Sequence, residues 1–385
     1  MPDAMRREWW IRASGAVLLG GGAAMLSGCG SWSIFPSGRP KIPELQPLAG
    51  GVALRVLWTA PFPGEVGFQP ALAGGNLVVA TPEGRLAMLD ARTGSLRWEI
   101  NVGRRLAAGV GTDSRSIVVG SRDGSLVAFD IDGKQRWASA VGAEVVTVPA
   151  VGSGIVVVRG SDNRVSALDL ASGARRWTFQ RQSPSLVLRQ TGGVTIGGAQ
   201  VYVGLPGGRM IALATESGAQ RWETAVSVPR GSNEIERIAD LVGTPKVAGN
   251  DVCASAFQGR VACLDIGTGR TLWSRDISSA NGVDIDDRHV VIADEKGHIH
   301  AFARNGSSLW RQEKLAGRGL SAPLLASRRV LVVDTPGVAH LLNLDDGALL
   351  GRVDLGRPIA SAPLRVDQIA LLQTRGGALY AVSLE

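Results

Sequence analysis

Residues able to do chemistry are few in this chain. Four histidines, His289, His298, His300 and His340, and three cysteines, Cys29, Cys253 and Cys263, are its whole supply of imidazole and thiol. His298-x-His300 sets two imidazoles on one face of a strand, but a structural or catalytic metal centre needs at least a third protein ligand, and none is read close by. No Gly-x-Ser-x-Gly nucleophile turn occurs either. The expectation is a protein that is not an enzyme and that holds no metal and no cofactor. Cys253 and Cys263 flank Gln258-Gly259 at mirrored positions. An oxidising compartment lets them close a cross-strand disulfide, while paired strands often hold the Cα atoms in poor geometry for one; two buried thiols are the equal alternative.

The elements that position these residues repeat. One signature recurs eight times, most clearly from Gly84 to Trp98 and from Asn163 to Trp177, with a glycine-marked turn, an apolar strand, an Asp-x-x-Thr/Ser-Gly turn and a tryptophan. Trp58, Trp98, Trp137, Trp177, Trp222, Trp273 and Trp310 mark a spacing of about forty residues, the period of four-stranded propeller blades. Gly351 stands where the next tryptophan is due, and the last copy ends at Glu385 before reaching one. Residues 52–60, with Trp58, form a strand lacking a blade. The pattern predicts an all-β, eight-bladed β-propeller of four-stranded antiparallel blades, closed when the N-terminal strand completes the last blade. Closure is expected to hide most strand edges. The tryptophans are read as plugs between blades. Pro70, Pro149, Pro245, Pro323 and Pro363 are predicted in first strands, where an N–H need not be paired.

The N-terminus reads differently. Arg6, Arg7 and Arg12 precede a small-residue apolar stretch too short for a dependable membrane span, so residues 1–28 read as a secretory signal. Leu26-Ser27-Gly28-Cys29 resembles the bacterial lipobox, which implies lipid on Cys29, with Gly30 implying the outer membrane. Residues 29–51, rich in Pro, Ser and Gly, read as a lipidated flexible tether, and residues 52–385 as the propeller. The charge is +7 overall, and removing 1–28 with its three basic and two acidic side chains leaves +6. Those charges are scattered through turns, which argues against nucleic-acid binding.

Two connections break the period. Trp58 to Pro70 spans 12 positions, but Trp222 to Pro245 spans 23, with the excess in residues 226–241. A smaller excess falls in residues 181–191, one blade earlier. Both join an outer strand to the next inner strand, so both emerge on one face. The first carries Leu186-Val187-Leu188-Arg189, aliphatics ending in a cation, which suits a protein contact.

The Ala/Leu-Asp-x-x-Thr-Gly-x-x-x-Trp motif resembles the blades of pyrroloquinoline-quinone dehydrogenases, leaving a periplasmic quinone-dependent propeller as the alternative, although no Cys-Cys pair is present. Signal, lipobox, tether and eight blades together resemble the BamB family, the propeller lipoproteins of the outer-membrane β-barrel assembly machinery. The specific part is Leu186-Val187-Leu188-Arg189 with Glu234-Ile235-Glu236-Arg237-Ile238-Ala239-Asp240. The resemblance implies that Leu186, Leu188, Arg189 and Asp240 bind the periplasmic domains of BamA, that unfolded outer-membrane proteins are further partners, and that the protein is an outer-membrane-anchored scaffold on the periplasmic face.

Overall fold

The computed structural model describes residues 42–48, 51, 54–62, 68–181, 192–229 and 239–385. Among them lie 32 strands and no helix, in eight four-stranded antiparallel sheets. Blade 1 comprises Ala71–Ala73, Asn76–Ala80, Arg85–Asp90 and Leu96–Asn101, and each later blade repeats this inside-to-outside order, giving an eight-bladed β-propeller.

Burial follows from the stacking of blades face to face. Second strands such as Ile155–Arg159 are buried at every position, because both faces of the sheet meet a neighbour. Outer strands such as Arg175–Phe179 alternate, with Trp177 turned in and both arginines out.

The seven tryptophans are wedges with a polar anchor. Each indole Nε1 donates to a carbonyl of the next blade: Trp58 to Ala91, Trp98 to Ile131, Trp137 to Leu170, Trp177 to Thr215, Trp222 to Ile266, Trp273 to Arg304 and Trp310 to Leu344, at 2.7–3.3 Å. The ring lies on the glycine of that blade's outer turn. At Gly269, φ is +71° and a Cβ would sit 2.4 Å from the Trp222 ring, so both backbone conformation and space require glycine. The aspartate of the motif holds the same turn. Asp90 Oδ1 accepts from the N–H groups of Arg92 and Thr93, and its carboxyl is pulled down to about 2, foremost by Arg97.

Ring closure follows the predicted route. Val56–Pro61 pairs antiparallel with Ala378–Ser383, Trp58 opposite Ala381, and so completes blade 8. Leu371, Leu379 and Ala381 of blade 8 share one apolar cluster with Leu77, Val79 and Leu89 of blade 1. The missing tryptophan at Gly351 has a physical reason here. Blade 8 has no outer turn for an indole to dock on, because its third and fourth strands come from opposite chain ends. Gly51 instead lies against the Leu350 carbonyl and Gly351, and buried Leu54 joins Leu355 and Leu384.

Three expectations are amended. Part of the tether is fastened: Leu45 packs with Leu315, Leu320 and Trp310, the Pro43 carbonyl accepts from Arg318, and the Gln46 carbonyl accepts from Arg352 at 2.6 Å. Pro70, Pro149, Pro323 and Pro363 each stand one residue ahead of a first strand, and Pro245 alone lies within one, Leu241–Ala248, at its register shift. Closure does not hide the outer edges, since among the described residues the fourth strand of every blade pairs on one side only. Cys253 and Cys263 face each other on the second and third strands of blade 5, both fully buried, and their sulfurs are bonded with Cα atoms 4.1 Å apart. Residues 1–41, including Cys29, lie outside the described residues.

Candidate partner-binding site

The two long connectors flank blade 4, whose strands are Val194–Gly197, Gln200–Leu205, Arg209–Ala214 and Gln220–Ala225. The first leaves blade 3 after Phe179 and enters blade 4. The second leaves blade 4 after Ala225 and enters blade 5 at Leu241. With four antiparallel strands per blade, connections between blades share a face with the turns joining second and third strands. Leu186, Leu188 and Arg189 lie outside the described residues, as do residues 230–238. The described ends show how both connectors are held.

Arg181, at the start of the first connector, pairs with Glu223 on the outer strand of blade 4, and Arg209 pairs with the same carboxylate. The Glu223 side chain is only 9% exposed, so two guanidinium groups meet one largely desolvated acid. Where the connector ends, Gly193 N–H donates to the Gly243 carbonyl at 2.7 Å, tying blade 4 to blade 5.

The second connector is held at the Gly207-Gly208 turn. Val226 and Ser227 N–H both donate to the Gly208 carbonyl, and a Cβ on Gly208 would meet the carbonyls of Ser227 and Ala239 at 2.4 and 2.8 Å. The two ends of the connector thus cross over one glycine. Val228 next to them is 64% exposed.

Asp240 requires a correction. The resemblance makes it a contact residue, but the structure places it at 2% exposure with its Oδ1 accepting from Gly207 N–H at 2.8 Å. This inward carboxylate ties the end of the second connector to the Gly207-Gly208 turn. Arg159, whose charge interacts with that of Asp240, is the largest fully buried side chain among the described residues and donates from Nη1 to the Gly204 carbonyl at 2.9 Å. Burial draws the Arg159 guanidinium down to about 10, countered by the charge of Asp240, so it stays cationic at neutral pH. Sequence reading missed Arg159 because it ends an otherwise apolar run, Ile155–Arg159. A charged residue closing such a run is the signal that was there to find.

On the same face, across blades 6 to 8, a cavity of about 410 Å³ opens among the connections 280–281, 319–322 and 358–362. At its wall the histidine reading also needs correction. Asp294, only four positions before His298, joins His298 and His300 as a third potential ligand.

Comparison with known proteins agrees with this architecture. The family model described as outer membrane protein assembly factor BamB matches residues 53–103, 82–305 and 295–385. The outer membrane protein assembly factor BamB of Bordetella pertussis is 39% identical over 373 residues, 96% of each chain. The crystal structure of BamB from Moraxella catarrhalis superposes with a TM-score of 0.78 at 26% identity, covering 86% of this chain and 100% of that one. Quinohemoprotein alcohol dehydrogenase from Comamonas testosteroni reaches a TM-score of 0.67 at 13% identity, covering 86% of this chain and 76% of that one, a likeness of fold alone. The chain belongs to the family of the outer membrane protein assembly factor BamB.

Proposed function

We propose that this protein is a non-enzymatic scaffold in the assembly of outer-membrane proteins, held on the periplasmic face by lipid on Cys29 and docked through its two long connectors on the periplasmic domains of BamA. The observation that carries this is the shared seating of the connectors. Glu223 holds the start of the first connector and the Gly207-Gly208 turn holds both ends of the second, all on one blade and beside exposed Val228. Aliphatic anchors with an adjacent arginine, presented from a rigid base, combine apolar burial with directional hydrogen bonding at low ordering cost. Arg159 and Asp240 act by positioning. Unfolded outer-membrane proteins are the second class of partner, met at the free outer edges of the blades, where main-chain groups allow strand addition.

Co-purification with BamA from solubilised outer membranes tests the reading. The Leu188→Ala, Arg189→Glu pair should abolish it with the circular-dichroism melt unchanged. Full retention of BamA by that variant refutes the site.

A further inference from the structure

Blades 6 and 7 share a turn latch and differ at the position two residues before its histidine. After the second strand of each, an aspartate accepts N–H groups of the turn through Oδ1 and contacts an imidazole six residues on through Oδ2. In blade 6, Asp294 takes Lys296 and His298 N–H and lies 3.0 Å from His300 Nε2. In blade 7, Asp334 takes Gly337 and Val338 N–H and lies 3.0 Å from His340 Nε2. In the blade 7 latch both side chains are fully buried, with Arg318 as the counter-cation. Where blade 7 has Val338, blade 6 has His298.

That substitution opens a different chemistry. Asp294, His298 and His300 each keep 13% side-chain exposure, and Asp294 lines the 410 Å³ cavity. One ligand atom from each falls within 4.8 Å of the others, and Asp294 Oδ2 lies 3.0 Å from His300 Nε2. His298 Nδ1 is 2.9 Å from Asp294 Oδ2 and also 3.0 Å from Arg311 Nη2. These neighbours make opposite demands. The carboxylate needs a proton on Nδ1, whereas guanidinium only donates and needs the lone pair. No single tautomer serves both.

We propose that Asp294, His298 and His300 form a divalent transition-metal site with Zn²⁺ as its occupant. A cation takes the Nδ1 lone pair and replaces the contested hydrogen bonds, and Arg311 keeps Glu313, 3.0 Å away. Two imidazoles and one carboxylate suit zinc, with water from the cavity as fourth ligand. At metal–ligand distances of about 2.0–2.1 Å, tetrahedral neighbours lie roughly 3.3 Å apart, so the three atoms need move by only about an ångström. Bound metal would cross-link the turn to the third strand, Ile299–Ala303, beside the cavity.

Titration calorimetry of the chelator-stripped mature protein with ZnCl₂ is the test. One saturable equivalent is expected, lost or weakened by at least about tenfold in His298→Val, which installs the blade 7 residue, and kept in His289→Ala. Absence of a saturable equivalent in the wild-type protein, or undiminished binding by a folded His298→Val variant, overturns the proposal. Should His298→Val not fold, diethylpyrocarbonate labelling of the wild-type protein decides: Zn²⁺ should shield His298 and His300 but not His289, and unshielded His298 refutes the site.

Discussion

Substituting Gly269 by alanine probes the contact on which the ring depends. The new methyl would lie 2.4 Å from Cδ2 of Trp222, and the residue would still have to hold φ near +71°. The backbone conformation alone costs an L-residue about 1–2 kcal/mol. Moving the indole to relieve the clash breaks its hydrogen bond to the Ile266 carbonyl, now 2.9 Å, worth about 1 kcal/mol. The sum, about 2–3 kcal/mol before any lost packing, approaches the roughly 3–5 kcal/mol expected for Trp222→Ala, whose ring is 7% exposed. The double variant separates mechanisms. If the methyl acts by displacing the ring, then in a chain without the indole only the backbone term remains, and the two effects should fall short of additivity by about 1 kcal/mol or more. Urea denaturation of the mature protein and its three variants measures this. Strict additivity, or a Gly269→Ala cost confined to the backbone term, would refute the wedge.

Other predictions follow from the same contacts. Arg159→Met removes the charged hydrogen bond to the Gly204 carbonyl, and should cost about 1.5–3 kcal/mol and weaken BamA retention in any fraction that folds; a urea midpoint within error of wild type would contradict a structural role for Arg159. Replacing both Cys253 and Cys263 by serine opens a loop with a separation of 10 and should lower stability by about 2.5–3 kcal/mol, measured against wild type with and without reductant. Burial raises the Asp334 carboxyl, but hydrogen bonds from His340, Val338 N–H and Arg318 outweigh it and hold the group below its ordinary range. Its contribution is therefore complete above the unfolded value of about 3.9 and lost as pH falls through the folded one, so the stability gap between wild type and Asp334→Asn should narrow on acidifying below about pH 4. Deleting the chain through Pro61 removes the outer strand of blade 8 and Trp58, and should lower the melting temperature of the whole ring rather than trim a tail.

The sequence alone determined the blade count, the strand order, the closure by residues around Trp58 and the docking role of the seven indoles. These are periodic facts: a turn needing glycine and a wedge needing tryptophan recur at fixed distance, and four antiparallel strands per period leave few other folds. It also located both long connectors, because length is legible without coordinates. What it could not supply were contacts between blades that no local pattern encodes. Asp240 reads as a surface acid in a charged loop, and only the approach of the Gly207-Gly208 turn and the charge of Arg159 turn it inward. Gly351 reads as a lapse in the motif until Gly51 and Leu54 are seen arriving from the other end of the chain. Likewise, Asp294 joins His298 and His300 because a tight turn folds it back over the third strand. Local spacing fixes which strand a residue enters; the stacking of one blade on the next decides what its side chain meets.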